Sequence, residues 1–215
     1  MTRILLVGAG GHAQVVVDIL DAMREAGQAI STVGYVDDNV DLQGKELLGV
    51  RVLGSVADLS RIPHDAVIVA IGDNRQRRAL VERVVKQGSP LGTAVHPTAV
   101  VAKSALIARG SMICAGAIVN PASTVGLSAI LNTGCSVDHH SQIGDYAHIG
   151  PGARLGGTVA VGHESLIGIG AVVLPNLRVG SRSIVGAGSV VTTTVGDDVT
   201  VIGRPARKLH MSARD

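Results

Sequence analysis

A branched aliphatic residue recurs at every sixth position from residue 101 to residue 191. The series runs Val101, Ile107, Ile113, Val119, Val125, Leu131, Val137, Ile143, Ile149, Leu155, Val161, Ile167, Val173, Val179, Val185 and Val191. Two places before each of them the side chain is small, as at Ala99, Ala105, Ser111, Cys135, Ser141 and Ser189, with Val159 and Leu177 the bulky exceptions. A period of six fits neither the period of about 3.6 of an amphipathic helix nor that of about 2 of an alternating strand. It fits a solenoid of very short strands and turns, in which one aliphatic per hexapeptide points inward and the small residue lets the chain bend at a corner. Stacked coils about 4.8 Å apart then bury a continuous aliphatic column. The chain has no Phe and no Trp, as suits a narrow prism layered with Val, Ile and Leu.

These observations predict a parallel β-helix over residues 98–195, with roughly five coils at three hexapeptides per coil. At Asp197 the pattern fails, so residues 196–215 are expected to form a cap and tail over the open end of the prism. Ahead of the repeat, residues 1–97 suffice for a small domain of their own. A formal charge of +2 with 17% charged residues points to neither a nucleic-acid partner nor an acidic membrane surface. Cys114 and Cys135 fall at inward or corner positions and read as structural, which favours an intracellular setting over a disulfide framework. The apolar stretch at residues 4–7 is too short for a signal peptide and no run reaches transmembrane length, so a soluble cytoplasmic protein is expected.

Residues 3–7 read as a buried strand, followed at once by Gly8, Gly10, Gly11 and His12 and then by a helical pattern through Val16, Ile19, Leu20 and Met23. Glycines in such a turn let a ligand approach the backbone, and the helix terminus offers unpaired N–H groups to a phosphate. A second strand at 31–36 ends in Asp37 and Asp38, and a third at 66–71 ends in Gly72, Asp73 and Asn74 and opens a basic helix with Arg75, Arg77 and Arg78. The three strand ends are expected to meet at one edge of a small parallel sheet, a Rossmann-like α/β unit. A dinucleotide such as NAD suits it poorly, because Ala13 replaces the third fingerprint glycine and the acidic pair comes nearly thirty residues after Gly8. Half a dinucleotide fold suggests a nucleoside diphosphate ligand. The segment 92–97 is short enough to hold the two parts in a fixed relation.

The repeat carries one polar interruption. Asn132, Asp138, His139 and His140 occupy outward positions of neighbouring hexapeptides, and His148 follows. His139 and His140 should lie on the surface unless a second subunit covers them. These stretches carry a resemblance. Residues 8–12, 36–38, 70–74, 132–140, 143–148, 173–176 and 201–206 are similar to those of the bacterial sugar acyltransferases that join a small Rossmann-like domain to a left-handed β-helix. That group includes the UDP-4-amino-sugar N-acetyltransferases and the sialic acid O-acetyltransferases.

The resemblance implies a homotrimer with active sites in the clefts between β-helices, and acetyl-CoA as cosubstrate with no metal or prosthetic group. The acceptor it implies is a nucleotide-linked 4-amino-4,6-dideoxy sugar, GDP-perosamine or a UDP-linked analogue, made for surface polysaccharide or glycan. His139 matches the general base. The next position is commonly acidic in relatives but is His140 here, so the base is oriented by Asp138, or tuned differently, or shared between the two histidines. Nucleotide-sugar contacts are expected from Gly10, Gly11, His12, Asp37, Asp38, Gly72, Asp73, Asn74 and Asn132. Acetyl-CoA contacts are expected from His148, Gly157, Ile169 and Ala187, and from Arg204 and Lys208 in the basic tail.

Acyl transfer from a thioester to an amine needs a proton acceptor for the amine, donors for the oxyanion and a proton for the thiolate, and near neutral pH a histidine serves the first need. Direct attack in a ternary complex is simpler than a covalent acyl-enzyme. Three other readings remain open: sugar O-acetylation, a zinc hydratase of the γ-carbonic-anhydrase type using His139, His148 and His163, and a non-catalytic nucleotide-sugar sensor.

Overall fold

The computed structural model describes residues 1–209. Residues 210–215, the last part of the expected cap and tail, lie outside the described residues. The amino-terminal unit contains β1 (Thr2–Val7), α1 (Gly11–Glu25), β2 (Ile30–Val36), β3 (Glu46–Leu47), β4 (Val50–Gly54), β5 (Ala66–Val69) and α2 (Asn74–Lys86). Its sheet has the order β3-β4-β2-β1-β5, parallel throughout except for the β3-β4 hairpin. Leu5, Leu6 and Val7 are fully buried, as the unbroken apolar run of a strand covered on both faces requires. From β1 the chain winds one way to β2 and β4 and then returns to place β5 on the other side. The switch point therefore lies outside the carboxyl ends of β1 and β5, where open α/β sheets bind ligands. The sequence reading anticipated β1, β2 and β5 but not the β3-β4 hairpin, whose turn holds Leu48 and Gly49 at φ of 48° and 71°.

Beyond residue 93 the chain coils into a prism of three parallel sheets. Strands of two residues recur every six residues, and each pairs with the strand 18 residues away, as Ile130 and Leu131 do with His148 and Ile149. Inward residues from Ile113 to Val191 are at most 3% exposed and form one column, with Val101 and Ile107 partly buried at its open end. Such strands are too short to persist alone. Each buried Val, Ile or Leu contributes about 1.5–3 kcal/mol of transfer free energy, so the column holds them. Corners are made by left-handed residues three places before each inward aliphatic, among them Gly134, His140 and Tyr146 at φ of 63°, 57° and 58°. The small residue one place later, expected to make the bend, instead packs inside it. Where it is serine, its hydroxyl can donate to the turn carbonyl of the next coil, as Ser123 does to Asp138 and Ser141 to Gly156.

One of the three sheets begins with Ala94–Val95 and continues through Met112–Ile113, Ile130–Leu131, His148–Ile149 and Leu166–Ile167. This is the docked face, because the amino-terminal unit packs on it: Met112, Cys114 and Ile130 share a buried cluster with Ile4, Ala13 and Ile68. The expected linker is thus part of the sheet, since Ala94 and Val95 pair with Met112 and Ile113. The second face holds Ser136–Val137 and its stack, and the third holds Gln142–Ile143 and its stack. Regularity ends where Ile184 pairs with Thr200, a step of 16 residues, and a short antiparallel strand at Arg207–Lys208 closes that edge.

Candidate active site

At the switch point the turn after β1 is fixed from two sides. Gly8 has φ of 99°, and a Cβ on it would lie 2.4 Å from Ile71 Cδ1. Asp37 accepts the Ala9 N–H at 2.7 Å and the Asn39 N–H at 2.8 Å, bonds that shape the turn, and it lines the same cavity as Asp38. Asp38 accepts the Val56 N–H through Oδ1. Beside Asp38 a cavity of about 210 Å³ is lined by Val56, Ile71, Gln76 and Leu80. The amino end of α1 is open: its N-cap, Gly10, makes no side-chain cap, and a Cβ at Gly10 or Gly11 would meet nothing within 4 Å. An uncapped terminus with space above it suits an anion such as a diphosphate.

The polar residues after β5 have partners within the chain. Asp73 caps α2 by accepting the Gln76 N–H at 2.8 Å. Asn74 donates to the carbonyls of Glu164 and Ser165, and with Gly72, Asp73 and His148 it lines a cavity of about 340 Å³. Next to it Arg77, which the sequence reading left as one of several basic residues on the helix, is fully buried between the two units. His12 and His148 meet there with ring centroids 6.3 Å apart, and burial first, then the Arg77 charge, pushes both down to about 4. Asn132 Nδ2 lies 3.0 Å from His148 Nε2. His148, expected among the acetyl-CoA contacts, is therefore joined to the nucleotide loops. His12 Nε2 is buried without a hydrogen-bond partner.

His139 lies elsewhere. It follows Val137 of the second face and precedes Gln142 of the third, which puts it on the edge of the prism opposite the docked face. His139 and His140 are exposed there, with Nδ1 to Nδ1 at 3.0 Å and rings edge to face. The first of the three orientations considered for the base does not hold: the Asp138 carboxylate accepts the His139 backbone N–H and Asn120 Nδ2, each at 2.8 Å, rather than the imidazole. Those bonds, the backbone one foremost, hold its carboxyl below the usual range. Asn120, which sequence reasoning missed, sits one coil before Asp138, and the spacing of 18 residues was the signal that could have found it. The floor under His139 is Gly157, where a Cβ would lie 2.6 Å from the imidazole Cε1.

The expected acetyl-CoA contacts divide in the same way. Gly157 belongs to the His139 edge. Ile169 and Ala187 occupy turns of the edge between the docked and second faces, the edge that also carries Asn132, and Arg204 Nε donates to the Gly188 carbonyl there at 2.6 Å. Lys208 lies on the closing strand. Two of the three edges thus hold parts of the expected set. Burial pushes the thiols of Cys114 and Cys135 up to about 12, so neither is a ready thiolate. His139, His148 and His163 fall on one edge, the docked face and another edge. Among the described residues no group of three or more His, Cys, Asp or Glu is placed to hold a metal, and no helix is long and apolar enough to cross a membrane.

Residues 3–84 match the family described as the PglD N-terminal domain. A curated relative, UDP-N-acetylbacillosamine N-acetyltransferase of Bacillus subtilis (strain 168), is 37% identical over 117 residues, which are 54% of this chain and 52% of that protein. The match thus spans about half the length of this curated relative. Solved structures extend the likeness. A histidine-to-asparagine mutant of perosamine N-acetyltransferase from Caulobacter crescentus, in complex with CoA and GDP-perosamine, is 37% identical with a TM-score of 0.89 over 98% of both chains. The acetyltransferase domain of PglB from Neisseria gonorrhoeae FA1090, in complex with acetyl coenzyme A, is 36% identical with a TM-score of 0.88 over 97% of this chain and 99% of that one. A Rossmann-like unit docked on a hexapeptide-repeat left-handed β-helix, with whole-length identity of this order, makes the chain a member of the nucleotide-sugar N-acetyltransferase family.

Proposed function

We propose that the protein transfers the acetyl group of acetyl-CoA to the 4-amino group of a nucleotide-linked 4-amino-4,6-dideoxy sugar. The observation that carries this reading is an exposed imidazole, His139, standing on a glycine floor in a chain whose full-length relative binds both CoA and GDP-perosamine. Only one proton fits between the two Nδ1 atoms. When His139 Nδ1–H donates to His140, the His139 Nε2 lone pair is free for the substrate, so His140 takes the orienting place that an acidic residue would fill. His139 Nε2 removes a proton from the amine as its nitrogen forms a bond to the acetyl carbon. The C–S bond then breaks and the thiolate leaves with that proton. Backbone N–H groups of the coil, aimed at the developing oxyanion, can each be worth about 3 kcal/mol.

The division of the site between two edges supports a homotrimer in which His139 of one copy meets the nucleotide loops of the next. Within a single chain the prism itself separates them. A diphosphate on the α1 terminus and a base beside Asp38 fit the amino-terminal unit. The relatives include one that binds GDP-perosamine and one named for a UDP-linked sugar, so the base is either guanine or uracil. Reliance on acetyl-CoA supports a reaction in the cytoplasm.

The test is thiol release from acetyl-CoA by the purified protein against GDP- and UDP-linked 4-amino-4,6-dideoxy sugars, with mass spectrometry of the product. Release with one amino sugar and a product heavier by one acetyl group is expected. Release only with hydroxyl acceptors would replace amine by hydroxyl transfer, and no release with either acceptor would overturn the reading.

A further inference from the structure

Arg77 makes no ion pair among the described residues, although it is fully buried. Its guanidinium is instead satisfied by five acceptors drawn from both units. Nε donates to Ser128 O at 2.8 Å and Nη2 to Tyr146 O at 2.6 Å, both carbonyls of left-handed corner residues in the solenoid. Nη1 donates to Ile71 O and Gly72 O at 2.9 and 3.1 Å, and Nη2 also reaches Asn74 Oδ1 at 2.8 Å. A planar fork with five N–H groups can fill this set and an ammonium cannot. Burying an arginine without a carboxylate is costly, and burial lowers its own pKa to about 10. A residue held at that cost while packing alone could join two apolar surfaces calls for a specific role.

The network continues into the site. Asn132 Oδ1 accepts the Thr133 N–H at 2.8 Å, which turns its Nδ2 toward His148 and makes that amide the donor. His148 Nε2 is therefore the acceptor, and the ring proton sits on Nδ1. Protonating His148 would break the Asn132 bond and set a second cation beside the buried guanidinium. The charged and titratable groups facing this cluster are His12 from α1, Asp73 and Arg75 at the start of α2, and Tyr146, Glu164 and Arg182 from the solenoid corners.

We infer that Arg77 is a positioning residue for the acetyl-transfer site: its guanidinium fastens the 71–74 loop to two solenoid corners beside the hydrogen-bonded His148–Asn132 pair. Arg77 thus joins the nucleotide loop to the solenoid together with Asn74 and the Arg78–Glu164 ion pair. The kinetic part of this inference rests on the acetyltransferase reading; the structural part does not.

The experiment compares Arg77→Met and Arg77→Lys with the unmodified protein, following the His148 ring by NMR titration, assigned with His148→Gln, alongside steady-state kinetics and melting. Removing the charge in Arg77→Met is expected to raise the His148 midpoint by about one pH unit, and loss of the fork in either variant to lower kcat about tenfold or more with a smaller change in KM. Arg77→Lys keeps the charge and should keep the low midpoint. If Arg77→Met does not fold, the kinetics of Arg77→Lys decide. A folded Arg77→Met with an unchanged His148 titration, or a folded Arg77→Lys with unchanged kcat, overturns the inference. A shifted titration in a protein that acetylates nothing would count against the proposed function and leave the positioning role standing.

Discussion

Replacing His139 with asparagine lowers kcat by about 10²–10⁴-fold with little change in KM, the loss expected when a general base is removed from an otherwise intact site. Asparagine keeps a polar side chain of similar reach over Gly157 but has no lone pair basic enough to take the amine proton. The substitution falls at an exposed turn whose backbone bonds run through Asp138 and Thr158, so the solenoid is undisturbed. Thiol release measured at several pH values checks it. A variant with full kcat would move the base to another residue, His140 first.

Gly157→Ala should be nearly as damaging without touching a polar group. Its added Cβ would lie 2.6 Å from His139 Cε1 and 2.7 Å from Nε2, closer than carbon atoms approach, so the ring must leave its place. Gly157 is not among the glycines with positive φ, and its carbonyl would still accept the Asn176 N–H, so the coil accommodates alanine. Displacing a catalytic group by about 1 Å can cost about 10²-fold in rate. The expected result is a kcat lower by about that factor with the melting temperature retained. An active Gly157→Ala would mean that the ring position seen here is not the one used in turnover.

The solenoid was legible in the sequence because its stability comes from one buried aliphatic per hexapeptide, and that demand leaves a strict period. Strands ending in glycines and carboxylates were legible for a related reason: a fully buried strand reads as an apolar run with an abrupt polar end. What the side chains do at those ends was not legible. Asp37, Asp73 and Asn74 have the chemistry of ligand contacts and line cavities, but they also bond backbone groups, and composition does not reveal those bonds. The hydrogen bonds that join the units link residues 51 to 91 positions apart, such as Arg77 with Ser128 and Asn74 with Ser165. No period marks such pairs. The β3-β4 hairpin escaped because its first strand has only two residues. Asp138 misled because adjacency in sequence suggested contact with the His139 ring, whereas in a stacked coil the neighbour one turn away, Asn120, competes for the same carboxylate.

The central claim is that the base and the nucleotide loops acting together come from different copies of the chain, since one chain holds them on opposite sides of its prism. Complementation between two inactive variants tests it directly: His139→Asn, and Gly10→Trp, whose indole would fill the open space above the α1 terminus. Each is expected to be inactive alone. Co-assembled in equal amounts, they should recover about a quarter of the unmodified activity, because each interface needs the right member on both of its sides. No recovery from mixed assemblies would contradict the claim and require each chain to supply a complete site.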